Sequence, residues 1–154
     1  LRGFTFMIER LLCRGFHKTL RGPEEIYILD KKIKGIWYEG YVYIRNKNGE
    51  PEYRIKICDS EGTVIPGKEY TVVKESVGMF SGFKDSSSGV KIFENDIVDG
   101  KYKELKKKKN RRFIVGWEKG SFVELALCNF SEVTIVGNMF NEDWDLILEE
   151  GFDN

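Results

Sequence analysis

The clearest hydrophobic pattern lies in "KGIWYEGYVYIR", where Trp37, Glu39, Tyr41 and Tyr43 interleave with Tyr38, Gly40, Val42 and Ile44. Period-two spacing of aromatic and β-branched residues predicts a strand. Both alternating sets carry apolar residues. Such a strand is expected to be covered twice, by core on one face and by a second lobe or subunit on the other. Asn48-Gly49 then predicts a tight hairpin leading into a strand from Tyr53 to Cys58. Weaker strand text runs from Ile8 to Cys13, from Ile26 to Leu29 after the Gly22-Pro23 break, through "TVIPGKEY", and from Thr71 to Val73. Later, Phe113, Val115 and Trp117 alternate with Ile114, Gly116 and Glu118, and Lys119-Gly120 turns a hairpin. Helical spacing is scarce. "NEDWDLILEE" places Trp144, Ile147 and Leu148 at i, i+3, i+4 and predicts one or two turns. "YKELKKKKNRR" has no apolar stripe with which to pack as a helix.

Composition sharpens this reading. The chain has 154 residues, with 11 Phe, 7 Tyr, 3 Trp and 16 Gly, and alanine only at Ala126. Many aromatics and few helix formers favour short strands and turns, so the fold is expected to be mainly β (β-rich α+β). A chain of this size buries about two-thirds of its unfolded surface and needs no metal or disulfide staple. Its 25 basic and 25 acidic residues balance, which gives the whole molecule no general attraction to nucleic acid or membrane. Cys13, Cys58 and Cys128 are odd in number and widely spaced, as expected of reduced thiols in a cytoplasm. No run reaches the ~20 apolar residues of a membrane span. The opening residues 1–6, "LRGFTF", read either as a first strand segment or as a leader, because Arg2-Gly3 back-translates to a purine run upstream of a start at Met7.

The stretch "MFSGFKDSSSGVKIFENDIVD" invites three chemical readings. A phosphate loop requires a Lys-Ser/Thr ending and a following helix, and here strand text follows instead. Glu94 and Asp96 would share one strand face and could mimic a carboxylate pair, but solvated charges beside a turn account for them more simply. "KDSSSG" itself reads as a hairpin loop in which Asp85 and the serines cap backbone amides and Gly89 takes a positive φ. The one histidine, His17, has no local triad signature and reads as a polar residue beside a turn. With one His and scattered Cys there is no zinc-ligand spacing. No catalytic residue, metal, cofactor or small-molecule substrate is indicated.

The same stretch resembles the YopX family of phage and prophage proteins, whose pattern runs V-G-Q-[FY]-T-G-[LF]-K-D-x-N-G-x-x-I-[FY]-E-G-D-I-V. Val77, Gly78, Phe80, Gly82, Phe83, Lys84, Asp85, Gly89, Ile92, Phe93, Glu94, Asp96, Ile97 and Val98 match it. Arg14-Gly15, "KGIWYEGYV" and "VTIVGNMFNE" are similar to further parts in the same order. Asn95 stands where the family has glycine, and Met79 and Ser81 where it has Gln and Thr. The resemblance implies an N-terminal β lobe over 1–74, then a small SH3-like barrel over 75–154 with a short C-terminal helical segment. It implies no catalytic residue and no cofactor. The expected function is that of a non-enzymatic phage or prophage accessory protein acting by assembly.

Two surfaces could carry such a role. The two-sided aromatic strand, with Trp37, Tyr38, Tyr41 and Tyr43, predicts a homo-oligomer interface. Between Lys101 and Arg112 only Glu104 opposes a long positive run. Like-charge repulsion makes a solvated hairpin loop the plain reading. Lys106, Lys107, Lys108, Lys109, Arg111 and Arg112 could instead contact nucleic-acid phosphates, or meet the acidic tail "NEDWDLILEEGFDN".

Overall fold

The computed structural model describes residues 12–104, 107–118, 121–123 and 130–151. Ile8 to Leu11, the possible leader 1–6, Lys106, Ala126 and Cys128 therefore lie outside the described residues. The chain is mainly antiparallel β and divides into two compact units, Leu1–Phe80 and Ser81–Asn154, the division falling within one strand.

The first unit is organised by β3 (Lys31–Lys47), the strand with the clearest alternation. Strands β1 (Leu12–Lys18), β2 (Glu24–Ile28) and β4 (Glu50–Cys58) all pair with it antiparallel, and β5 (Val64–Thr71) continues the sheet from β4. A 3-10 turn, Lys74–Ser76, precedes β6 (Gly78–Lys84), whose Gly78 and Met79 pair with Arg14 and Cys13. Phe16, Ile26, Ile55 and Val72 are buried. Ser76 is fully buried too. Its hydroxyl accepts the Phe16 N–H at 2.8 Å and donates to the Val73 carbonyl at 2.6 Å, so the polar group is satisfied at both ends. Gly40 sits between two strands where a Cβ would lie 2.0 Å from the Lys56 carbonyl, so no side chain fits.

Two hairpin turns in this unit differ in their chemistry. Asn48 and Gly49 have φ of 52° and 83°, the left-handed pair that a two-residue turn needs, as the sequence predicts. The β2–β3 turn uses Leu29 and Asp30 at φ 50° and 64°. Leucine carries a Cβ penalty of about 1–2 kcal/mol there, and with 86% of its surface exposed nothing packs against it in return. Replacing Leu29-Asp30 with Asn-Gly is expected to stabilise the protein by about 1 kcal/mol, a rise in Tm of about 2–4 °C. A thermal melt that shifts downward would contradict this account of the turn.

The second unit begins with the rest of β6 and continues through β7 (Lys91–Phe93) into a three-stranded antiparallel sheet. That sheet has the order β12-β8-β9, with β8 at Asp96–Glu104, β9 at Lys107–Ile114 and β12 at Glu132–Asn138. A separate ribbon pairs β10 (Gly116–Glu118) with β11 (Ser121–Val123), its register centred on Lys119-Gly120, which lie outside the described residues. Helix α1 (Trp144–Glu150) falls within the expected helical segment. Ile92, Phe93, Ile97, Val98, Phe113, Val115, Val133 and Phe140 are buried.

The second unit is antiparallel β as expected, and among the described residues no closed barrel is found, so the SH3-like form is not confirmed; β12 ends its sheet. The outward edge of β12 is occupied. Its N–H groups at Val133 and Ile135 are taken by Ser86 Oγ at 2.9 Å and Asp85 Oδ2 at 2.7 Å, where a closing strand would otherwise bond. A turn seals this edge, and a sealed edge adds no strand.

Candidate functional site

The serine turn is built around one carboxylate. Asp85 is 6% exposed, and its Oδ1 accepts the Ser87 N–H, the Ser87 hydroxyl and the Ser88 N–H at 2.8, 2.8 and 2.9 Å. Its Oδ2 accepts from Ile135 across the unit. Burial pushes this carboxyl up, but the hydrogen bonds, Ile135 N–H foremost, together hold it far below the usual carboxylate range. Gly89 closes the turn at φ 74°, as expected. A simple connecting loop is nevertheless too small a role for the serines. Ser86 bonds Val133 twice, its N–H donating to the carbonyl at 2.8 Å while its Oγ accepts the amide.

The following "ENDIV" is likewise structural, though not solvated as its charges suggest. Asp96 is 1% exposed and Oδ2 accepts the Phe93 N–H at 2.8 Å, closing the β7–β8 turn. Asn95 adopts φ 75°, so it supplies the left-handed geometry that glycine has in the family pattern. Its N–H donates to Val115 and its carbonyl accepts from Met139, so the turn is clasped from both sides. Glu94 is half-buried beside it. The Asp96 carboxylate therefore holds backbone in place.

The basic run is a pair of strands. From Asp99↔Arg112 to Glu104↔Lys107 it forms the β8–β9 hairpin in unbroken register. Strand alternation divides the charges between two faces. Arg112 lies on the helix side. Its Nε and Nη2 donate to the two oxygens of Asp99 at 2.6 and 2.8 Å, and its Nη1 donates to the Ile147 carbonyl at 2.7 Å. That fork with Asp99 raises the guanidinium pKa further. The acidic tail thus meets the basic run at Arg112. Lys108 shares this face, exposed nearer the tip, and Lys101 on the same face pairs with Glu132 at 3.2 Å. Lys107, Lys109 and Arg111 are exposed on the opposite face. The sequence reading missed Asp99, although counting outward from Glu104↔Lys107 pairs it with Arg112.

The aromatic strand splits its four residues unequally. Trp37, Tyr41 and Tyr43 share one face of β3 and Tyr38 lies on the other, all four half-buried. Trp37 meets Phe16 edge-on at 5.2 Å, with the Arg14 guanidinium 4.9 Å above its ring. The Tyr43 hydroxyl donates to Glu69, which also accepts from Arg54 Nε at 3.1 Å. Arg54 reaches Glu52, and Glu52 pairs with Arg45 at 2.9 Å. Burial works against the Glu52 charge, but bonds from Thr71 and Arg54 with the charges of Arg45 and Lys47 hold its carboxyl below the usual range. On the other face Tyr38 stacks on Tyr70 at 4.4 Å, and burial first, then the Tyr70 hydrogen bond, raises its pKa. His17 is near the end of β1, just before the Thr19–Gly22 turn. Its Nδ1 lies 2.7 Å from the Thr71 carbonyl and its ring flanks both tyrosines. Cys13 is buried, and burial pushes the Cys58 thiol up, keeping it in the less nucleophilic protonated form. Among the described residues no cluster of His, Cys, Asp and Glu is arranged to hold a metal ion, and no helix is long and apolar enough to cross a membrane.

No curated protein and no solved structure shows a significant match to the chain. The family model described as YopX protein matches residues 28–147. That span runs from the end of β2 into α1, and includes the Asp85 turn, the Asn95-Asp96 turn and both candidate surfaces. Its length is well over half of the 154 residues, and the chain belongs to the YopX family.

Proposed function

We propose that the protein is a phage- or prophage-encoded accessory protein of the bacterial cytoplasm that acts by self-assembly and not by catalysis. The observation that carries this reading is the row of half-buried aromatics Trp37, Tyr41 and Tyr43 on one face of β3. Aromatic side chains of this kind are enriched at protein interfaces, where they contribute large apolar area with few rotors to freeze. Charges near Tyr43 form pairs, Arg45 with Glu52 and Arg54 with Glu69. The chain as a whole has no net charge. Two copies can therefore approach with this face between them without charge repulsion.

The test is the mass in solution. Light scattering after size exclusion at micromolar concentration is expected to give more than one chain. Tyr41→Glu, which places an unpaired charge in the middle of the row, is expected to give a monomer with an unchanged circular dichroism spectrum. A wild-type monomer, or an oligomer indifferent to Tyr41→Glu, contradicts the reading.

A further inference from the structure

We propose that the Leu29-Asp30 tip of the β2–β3 hairpin docks into a cavity beside β5 on a second copy of the chain. The tip is the first observation. Leu29 holds a left-handed φ of 50° with 86% of its surface in solvent, and Asp30 follows at 64°. A strained residue whose own chain gives it nothing to pack on is a starting point for function. Asp30 and its neighbour Lys31 are exposed, and among the described residues neither forms an ion pair. Lys32, the next cation, pairs with Glu25 at 3.2 Å. The cavity is the second observation. It measures about 200 Å³ and is lined by Val64, Ile65, Pro66 and Gly67, with Lys56, Lys68 and Glu69 supplying its charges. A cavity of about 150 Å³ already admits benzene, so a leucine side chain fits. A Cβ built on Gly67, at φ 79°, would meet nothing within 4 Å, so the space there is open.

Charge decides between this cavity and a larger one of about 290 Å³ on the same unit. In the larger one Lys47 is taken by Glu52 at 3.6 Å. Glu50 lines it too, an exposed carboxylate with no ion pair among the described residues, and would repel Asp30. Beside β5 the lining carboxylate, Glu69, already accepts from Tyr43 and Arg54. Lys56 lies over the Tyr43 ring at 5.2 Å. Lys68, exposed, is left to receive Asp30. In the loop before β5, Asp59 accepts from the Glu61 and Thr63 amides, while the exposed Glu61 side chain can take Lys31. Strand-to-strand pairing does not compete. β5 carries Pro66, Lys68 and a register shift against β4, three devices that keep an edge from adding a strand. Knob and cavity are different patches, so the contact is head-to-tail and joins copies into rings or filaments. It uses neither Trp37 nor Tyr41 and does not rest on the β3 face. An interface this small is weak. Association through it is expected at about 100 μM and above, beyond the micromolar range in which the β3 face is tested.

The test is sedimentation equilibrium of the full-length protein, wild type and Tyr41→Glu, from about 10 to about 500 μM. The average mass is expected to climb with concentration in both. Leu29→Asn is expected to weaken this association at least about tenfold. Its melting temperature in dilute solution should hold or rise, because asparagine tolerates the left-handed φ. Leu20→Asn, the same change at a leucine 90% exposed in another turn, should leave the association in place. Asp30→Lys and Lys68→Asp should each weaken association about fivefold. An equimolar mixture of the two should recover it, since each variant keeps the half that the other lost. Matched melting curves show whether each variant is folded. The proposal is overturned by a mass that stays flat up to the highest concentration in both proteins. Equal losses for Leu29→Asn and Leu20→Asn, or a mixture no better than its components, overturn it too. Leu29→Asn and Tyr41→Glu are separate variants read at separate concentrations, so failure of either reading leaves the other decided.

Discussion

Replacing Asp85 with alanine is expected to destabilise the protein by about 3 kcal/mol or more, an effect as large as that of truncating a buried core side chain. The side chain accepts from Ser87, Ser88 and Ile135, and it is buried, so its loss leaves amides that water reaches poorly. Asparagine is no substitute. An amide nitrogen cannot accept, so one of the two edges of the carboxylate would face an N–H with a donor. Denaturant titration should therefore show Asp85→Asn nearer to alanine than to wild type. The pH dependence has a definite sign. The folded-state pKa lies below the ordinary aspartate value of about 4, so the stabilisation is complete above that pH and is lost as pH falls below it. The gap between wild type and Asp85→Ala should accordingly narrow in acid. A gap that stays constant from neutral pH to well below 4 would mean that the charge is not what holds the turn.

Arg112→Ser is expected to cost about 2–3 kcal/mol, although it is one of six cations in a run that looks solvated. The guanidinium is only 14% exposed in its side chain and forks onto Asp99, so its removal leaves a partly covered carboxylate unpaired. It also removes the donor to Ile147, one of the carbonyls at the C-terminal end of α1 that have no partner within the helix. Gly151, just past the helix, lies so close to Arg112 that the two are packed as one contact. Lys109→Ser, three residues earlier on the same strand, should change stability by less than about 0.5 kcal/mol. Arg112→Lys should fall between, since an ammonium keeps the charge but not the fork. Equal urea midpoints for Arg112→Ser and Lys109→Ser would refute this division of the run.

That division shows where the sequence was legible and where it was not. The alternation in β3, the Asn48-Gly49 turn, the capped Asp85 loop and the short helix near Trp144 are all local patterns, and the chain follows each. The basic run was opaque because its pairing with β8 overrides the poor strand propensity of lysine. Its register, not its composition, decides which cations face the helix. The Leu29-Asp30 turn was opaque because neither residue belongs to the usual chemistry of a two-residue hairpin. The closure of the second unit was not legible, because strand-like text around Thr134 says nothing of what occupies the strand's other edge. The family motif was legible as a motif and misleading as a candidate acid pair. Its two aspartates prove to be backbone caps, one of them reaching across to a distant strand.

That distant bond bears on the order of assembly during folding. Asp85 and Ile135 are separated by 50 residues, as against the short connections that close β3–β4 and β8–β9. Hairpins with short loops lose little chain entropy on closing and can form early, whereas a bond spanning so long a loop forms only after the intervening chain is largely in place. The motif is therefore a latch that shuts late. Until β12 arrives, the Oδ2 of Asp85 and the outward amides of Val133 and Ile135 remain hydrated, and the second unit gains its last acceptors together with its last strand.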